Sequence, residues 1–175
     1  TVGTASSAGG VAALLLRQCG FKGTEAVVDP LCGSGTFVIE AAEIAAGLLP
    51  GRNRKFAFEQ LATFNSERFQ ALRPASEALK TPLHFYGSDR DAGAIKAALA
   101  NAERAGVGPI TTFTRGSLSN VQRPSVEPGL VIMNPPYGTR IGDKSSLRDL
   151  HAAIGTTLKQ RFQGWRIGLL TSDAN

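Results

Sequence analysis

The sequence predicts an α/β fold with a doubly wound, mostly parallel sheet. Three observations lead to it: apolar strand-like runs alternate with helix-like segments, a glycine turn joins the first strand to its helix, and polar residues follow several strands. In such sheets ligands bind beyond the carboxyl ends of the strands. The polar residues at those ends are therefore the candidate functional residues.

The composition of the 175 residues sets limits on the function. At 175 residues the chain is long enough for one domain with a real core, and a hydrophobic content of 42% fits an α/β protein, so we expect 1–175 to be a single domain that is part of a longer protein. The net charge of +5 is compatible with a polyanionic partner. The two cysteines have no metal-ligand spacing, and no apolar run reaches membrane-spanning length. We expect no metal, no membrane association and a cytoplasmic location.

The first elements follow from apolar runs and glycines. Residues 1–10 are small and glycine-rich and are expected to be loose, and 11–19 reads as a short helix. A strand over 26–28 ends at Asp29-Pro30, because proline cannot donate to a ladder. The next helix is predicted over 37–46, with Gly47 where a terminating glycine belongs.

A long segment, 48–82, separates this helix from the next strand and is predicted to be a helical insertion. Its aromatic residues recur at roughly helical spacings and are expected to pack one or two helices on the domain. They are Phe56, Phe58, Phe64 and Phe69.

The second half repeats the alternation of strand and helix. Predicted strands are 83–89, 110–114, 130–133 and 166–171, and predicted helices are 92–105, capped by Asp91 and closed by Gly106, and 147–162. We expect strand five to be an exposed edge. The protein is then expected to self-associate there, or to cover this edge with another segment.

Four strands of the predicted sheet are followed by polar residues, Asp29, Asp89, Ser117 and Asn134. An acid at the position of Asp29 suits a ligand with a positive amino group, such as S-adenosylmethionine. Asp89 can accept both ribose hydroxyls of a nucleoside cofactor. An ordinary capping or surface aspartate is the alternative for Asp89.

The turn between the first strand and its helix contains Gly33 and Gly35. Glycines let a backbone approach a ligand closely, and a tight turn that needs positive φ explains them equally well. The dinucleotide-binding pattern lacks its third glycine here, and the absence of Gly-Lys-Ser/Thr excludes a P-loop.

Asn134-Pro135-Pro136-Tyr137 is the most specific motif. The prolines stiffen the turn and leave the Asn134 side chain and the Pro135 carbonyl as fixed acceptors. Two acceptors match the two hydrogens of an exocyclic amine on a base, and they stabilise the positive charge that develops as the nitrogen attacks a methyl donor. Tyr137 offers a face on which an extruded base can stack. The alternative is a stiff turn with a packed tyrosine.

These motifs, with Pro50-Gly51-Arg52-Asn53-Arg54, Gly87-Ser88-Asp89 and the stretch 101–106, resemble the THUMP-associated RNA methylases. The resemblance implies a Rossmann-like class I methyltransferase that uses S-adenosylmethionine to methylate guanine N2, in 23S rRNA or, as the alternative, in tRNA. Asn134, Pro135 and Tyr137 would hold the guanine. The implied cofactor-binding residues are Asp29, Leu31, Cys32, Gly33, Gly35, Thr36, Asp89, Arg90, Ser117 and Asn134.

The sequence departs from the family pattern in three ways. Ser117 stands where the family usually has an aspartate that bonds the adenine amine, and residues 5–8 replace a proline-containing segment. Relatives also carry an N-terminal RNA-binding module and two further strands after strand five, and we expect this chain to lack both. These departures keep a non-catalytic cofactor- or RNA-binding fragment as an alternative. A DNA adenine-N6 methyltransferase and a protein glutamine-N5 methyltransferase also stay as alternatives, because both use the same Asn-Pro-Pro-Tyr chemistry on a planar amine.

Overall fold

A computed structural model describes residues 5–52, 54–72, 79, 81–135 and 144–170 of the chain. Its centre is a five-stranded sheet in the order β3-β2-β1-β4-β5, in which every neighbouring pair is parallel. The strands are β1 Val27–Asp29, β2 Phe85–Asp89, β3 Thr111–Arg115, β4 Leu130–Met133 and β5 Arg166–Leu169. The predicted α/β fold and all five predicted strands are confirmed.

Helices cover both faces of this sheet. They are α1 Ala5–Gln18, α2 Thr36–Ala45, α3 Ser66–Ala71, α4 Ala92–Ala105 and α5 Lys144–Arg161. One buried cluster joins α1, α2 and α4 to the sheet, and a second lies between the sheet and α5. Because β1 and β4 carry apolar residues toward both clusters, they read as continuous apolar runs rather than as alternating ones.

The prediction that 1–10 is loose is wrong for residues 5–10, which form the beginning of α1. Glycines weaken an isolated helix, so packing must stabilise this part. A Cβ added at Gly9 would lie 3.1 Å from Glu40 Oε2 of α2, and Ala12 and Leu16 are buried in the core. Small residues therefore allow α1 to lie close to α2.

The segment after α2 contains less helix than the sequence predicts. Within 48–82, the described residues form a 3₁₀ turn, Ala57–Gln60, and the six-residue α3, and neither has a buried residue. The four phenylalanines pack on one another, with Phe58 stacked on Phe56 at 5.3 Å and edge-on to Phe69 at 5.2 Å. Arg52 ties the segment to α2 through a 2.7 Å ion pair with Glu43.

The fifth strand lies at the edge of the sheet, as predicted. Among the described residues β5 pairs with β4, and Ile167 and Leu169 are 44% and 45% exposed. Self-association through this edge stays a prediction. None of the described helices is long and apolar enough to span a bilayer.

Candidate functional site

The loop between β1 and α2 is held by two aspartates at the strand ends. The Leu31 N–H donates to Asp29 Oδ1 at 3.0 Å, and the Gly33 N–H donates to Asp89 Oδ2 at 3.0 Å. Parallel pairing of Asp29 with Gly87 places the ends of β1 and β2 side by side. The two carboxylates that the sequence singled out therefore share one site.

Two further bonds hold the same loop from β2 and α4. The Cys32 N–H donates to the Ser88 carbonyl at 3.0 Å, and Asn101 Nδ2 donates to the Ser34 carbonyl at 2.9 Å. Four consecutive residues, 31–34, are thus fixed from outside the loop or by Asp29. Sequence reasoning missed a role for Asn101, because a lone asparagine within a helix carries no signal of what lies opposite it.

The turn explanation of the loop glycines is confirmed, and their close approach to a ligand stays a prediction. Gly33 and Gly35 adopt φ of 52° and 85°, so the turn requires them for its backbone conformation. Gly35 is the N-cap of α2 and has no side chain with which to cap it. The neighbouring Leu31 and Thr36 are half-buried, whereas the Cys32 side chain is buried in the core. Any ligand contact from Cys32 would therefore involve its backbone.

The electrostatics of the site favour a cation. Asp29 is only 2% exposed, and burial, together with the nearby charge of Asp89, raises its pKa to about 7 against the lowering effect of the Leu31 hydrogen bond. Burial and the same two carboxylates also raise the pKa of the Cys32 thiol. A positively charged ligand group beside Asp29 would replace the solvation that its carboxylate has lost.

Asp89 is partly exposed, and each of its two carboxylate oxygens accepts a hydrogen bond from a backbone N–H. Its Oδ1 accepts from the Asp91 N–H at 2.9 Å, while Asp91 itself caps α4 by accepting from the Ala94 N–H at 2.9 Å. The cap predicted at Asp91 is confirmed, and Asp89 is not that cap. Each Asp89 oxygen keeps acceptor capacity, because a carboxylate oxygen can take two hydrogen bonds.

The end of β3 lies beside Asp89. The Gly116 N–H donates to the Asp89 carbonyl at 2.9 Å, and the next residue, Ser117, places its hydroxyl 3.1 Å from that of Ser119. The carbonyl of Arg90 accepts a 3.2 Å bond from Arg115 Nε. Ser117 and Arg90 therefore lie at the same edge as the two aspartates, with a hydroxyl where a carboxylate was expected from the resemblance.

The fourth strand brings Asn134 to this edge, because β4 pairs with β1 through Val28 and Val131. Asn134 is exposed and Pro135 is buried. Tyr137, the predicted stacking residue, lies outside the described residues. In the described part of the chain no three His, Cys, Asp or Glu residues group as metal ligands.

Comparison with known proteins places this chain in a family. The profile described as "RMKL-like, methyltransferase domain" matches residues 5–175. A ribosomal RNA large subunit methyltransferase K/L from Vibrio campbellii is 37% identical over 170 residues, which is 93% of this chain and 24% of that protein. The chain thus spans about a quarter of the length of the curated relatives it matches.

Two solved structures share the fold and about a third of the aligned residues. A predicted N6-adenine-specific DNA methylase from Listeria monocytogenes has a TM-score of 0.85 and 34% identity, over 95% of this chain and 44% of that one. A structure described as a methyltransferase in complex with SAH has a TM-score of 0.84 and 29% identity, with the same coverage. The sheet is therefore that of a Rossmann-like methyltransferase, and the chain belongs to the RMKL-like methyltransferase domain family.

Proposed function

We propose that this domain binds S-adenosylmethionine across the ends of β1, β2 and β3 and methylates the exocyclic N2 amine of a guanine in RNA. The observation that supports it best is the buried Asp29 carboxylate, which lies beside a loop bonded to Asp89. The substrate that we infer first is 23S rRNA, since the relatives are named ribosomal RNA large subunit methyltransferases, and tRNA is the alternative. Such a substrate implies a cytoplasmic location.

The residues at the edge fit each part of this cofactor. Asp29 would pair with its amino group, because that carboxylate is desolvated and has one backbone donor. The remaining acceptor capacity of Asp89 would take the ribose hydroxyls, and Ser117 would accept from the adenine amine. The other residues that we assign to the cofactor are Leu31, Cys32, Gly33, Gly35, Thr36, Arg90 and Asn134.

The bound cofactor supplies an electrophilic methyl group on a sulfonium. Asn134 Oδ1 and the Pro135 carbonyl would accept the two amine hydrogens, which orients the nitrogen lone pair and stabilises the positive charge that develops on nitrogen. The N–C bond forms as the C–S bond breaks. The amine proton becomes acidic only then and passes to water, so no strong base is needed before attack. Tyr137 would stack on the extruded base.

The proposal is tested by binding followed by turnover. Calorimetry with S-adenosylmethionine comes first, and then transfer of a labelled methyl group to unmodified 23S rRNA, tRNA, DNA and a protein release factor. Methylation of guanine N2 in either RNA supports the proposal. Failure to bind the cofactor would contradict it outright.

A second candidate is adenine-N6 methylation of DNA, because the Listeria structure carries that name and the two acceptors fit any planar amine. Protein glutamine-N5 methylation uses the same chemistry and is the third substrate class of the experiment. Binding without turnover on every substrate would favour a domain that holds cofactor or RNA and leaves catalysis to other parts of a longer polypeptide.

A further inference from the structure

We propose that Phe113 is the positioning residue of the cofactor loop, and that Gly87 is glycine so that the Phe113 ring can reach this loop. The proposal rests on the proposed function, because it assigns a role in cofactor binding to residues that would not touch the cofactor. Its basis is steric. Phe113 belongs to β3, two strands away from the loop, and still reaches it.

The Phe113 ring occupies space that the absence of a Cβ leaves open at two glycines. A Cβ added at Gly87, in β2, would lie 2.6 Å from Phe113 Cδ1 and 2.7 Å from its Cε1. A Cβ added at Gly35, at the start of α2, would lie 2.9 Å from both Cε1 and Cζ of the same ring. The Phe113 ring therefore crosses β2 over a residue without a side chain and ends against the N-cap of α2.

The pairing of β2 with β3 makes this arrangement possible. Gly87 and Phe113 are register partners, so their side chains would stand on the same face of the sheet. Any residue with a Cβ at position 87 would meet the ring at a distance that atoms in folded proteins do not adopt. The glycine is required by its neighbour, because its own φ lies outside the left-handed region.

The Phe113 ring packs against the loop at Gly35, while hydrogen bonds fix the other loop residues. Gly35 N–H donates to the Cys32 carbonyl at 2.8 Å, and a Cβ at Gly87 would also approach Cys32 Cβ at 3.1 Å. The end of the loop at Gly35 thus lies against Phe113, which is 8% exposed. Shortening the Phe113 side chain removes this packing contact and allows the loop to move toward the sheet. The backbone groups that the loop presents to a ligand are then misplaced.

A matched pair of variants separates positioning from ordinary core packing. Phe113→Leu removes the ring under the loop, and Phe85→Leu removes a ring from the same core at the other end of β2. Both should lower the thermal stability. Phe113→Leu should weaken binding of S-adenosylhomocysteine by about tenfold in calorimetry, whereas Phe85→Leu should leave it within about twofold.

Enlarging the residue at position 87 while shortening the residue at position 113 provides the decisive test. Gly87→Ala should weaken binding of S-adenosylhomocysteine by about a hundredfold, and Gly87→Ala combined with Phe113→Val should bind more tightly than Gly87→Ala alone, because valine lacks the δ-carbon that the added Cβ would meet at 2.6 Å. Gly35→Ala should not be rescued by Phe113→Leu, since its φ of 85° strains any residue with a Cβ.

Two results would overturn the inference: equal effects of Phe113→Leu and Phe85→Leu on binding, or a double variant no better than Gly87→Ala. Failure of the proposed function gives a different pattern, in which the wild-type protein does not bind S-adenosylhomocysteine. Thermal melts would then still test the steric contact between positions 87 and 113, because the double variant should melt at a higher temperature than Gly87→Ala.

Discussion

The two halves of the candidate site are built differently. At the ends of β1 and β2, a buried aspartate, a strand carbonyl and side chains from β2 and α4 fix four consecutive loop residues. At the end of β4, Asn134 is exposed, and the preceding residue Met133 is tied to the neighbouring β5 by a 3.0 Å backbone bond to Leu170. The first half is prepared by the protein's own hydrogen bonds, as a preorganised site for a small cofactor would require.

The second half begins where the backbone is restricted by proline. Pro135 restricts the backbone of Asn134 to extended conformations and is itself buried, whereas Asn134 is exposed. Under the proposed function, a base of a large RNA would enter from solvent, which requires an open side of the site. If this contrast is right, variants in the first half change cofactor affinity, and variants in the second half change rate or base capture.

The largest effect is expected for Asn134→Ala. Loss of one acceptor aimed at the reacting amine should lower the methyl-transfer rate by on the order of 10²–10³, with cofactor affinity nearly unchanged. Single-turnover rates and calorimetry measure the two quantities separately. Asn101→Ala is the matched control: it removes the bond to the Ser34 carbonyl and should weaken cofactor binding more than it lowers the rate at saturation. Unfolding of the Asn134→Ala variant would contradict the role of Asn134 as an acceptor for the amine.

Tyr137→Ala should mainly weaken capture of the base, by roughly 1–3 kcal/mol, as expected for the loss of one stacking partner. Tyr137→Phe keeps the ring and should retain most of the affinity. The KM for RNA in steady-state assays reports this difference. Equal damage from both substitutions would point to a phenolic hydrogen bond, and the stacking role would be withdrawn.

Asp89→Ala should weaken S-adenosylmethionine binding by more than about tenfold, since it removes charge-assisted bonds to the ribose. It should also lower stability, because the N–H groups of Gly33 and Asp91 lose their acceptor. Asp91→Ala is the control: it removes the cap of α4, which costs about 1 kcal/mol of stability, and should leave the dissociation constant nearly unchanged. An unaltered dissociation constant for Asp89→Ala would end the ribose assignment.

The sequence predicts the sheet well because the signals for strands are local. Leu130 to Met133 and the capped helix between Asp91 and Gly106 were located to the residue, since an apolar run and a cap need no partner to be recognised. The start of α1 was missed, because glycines near its beginning argue against a helix and only packing against α2 overcomes that preference.

The site divides in the same way. The placing of Asp29, Asp89 and Asn134 at one edge could be predicted because the ends of parallel strands meet there. Asn101, Ser88 and Phe113 could not, since each acts across 56 or more residues of chain on a loop whose position is known only after folding. The raised pKa of Asp29 likewise results from burial, which a sequence does not display.

The smallest effect that we expect is a pH dependence from Asp29. Its pKa is raised by burial from 3.8 to about 7 in the folded protein, so the folded state holds this proton more tightly than the unfolded state. Its contribution to stability is therefore fully present below about pH 4 and is lost as the pH rises through about 7. Asp29→Asn should flatten that part of the curve of unfolding free energy against pH.

Cofactor binding should show the opposite trend with pH. A positive amino group favours the ionised carboxylate, so affinity should fall as the pH drops below about 7, by at most about tenfold per unit, and binding near neutral pH should release a proton. Calorimetry in buffers of different ionisation enthalpy measures that release. Glu40, whose pKa burial also raises to about 7, is the control: Glu40→Gln should alter the stability curve and leave the pH dependence of binding unchanged. If Glu40→Gln abolishes proton release and Asp29→Asn does not, Asp29 does not meet the amino group, and the prepared half of the site binds its ligand in another orientation.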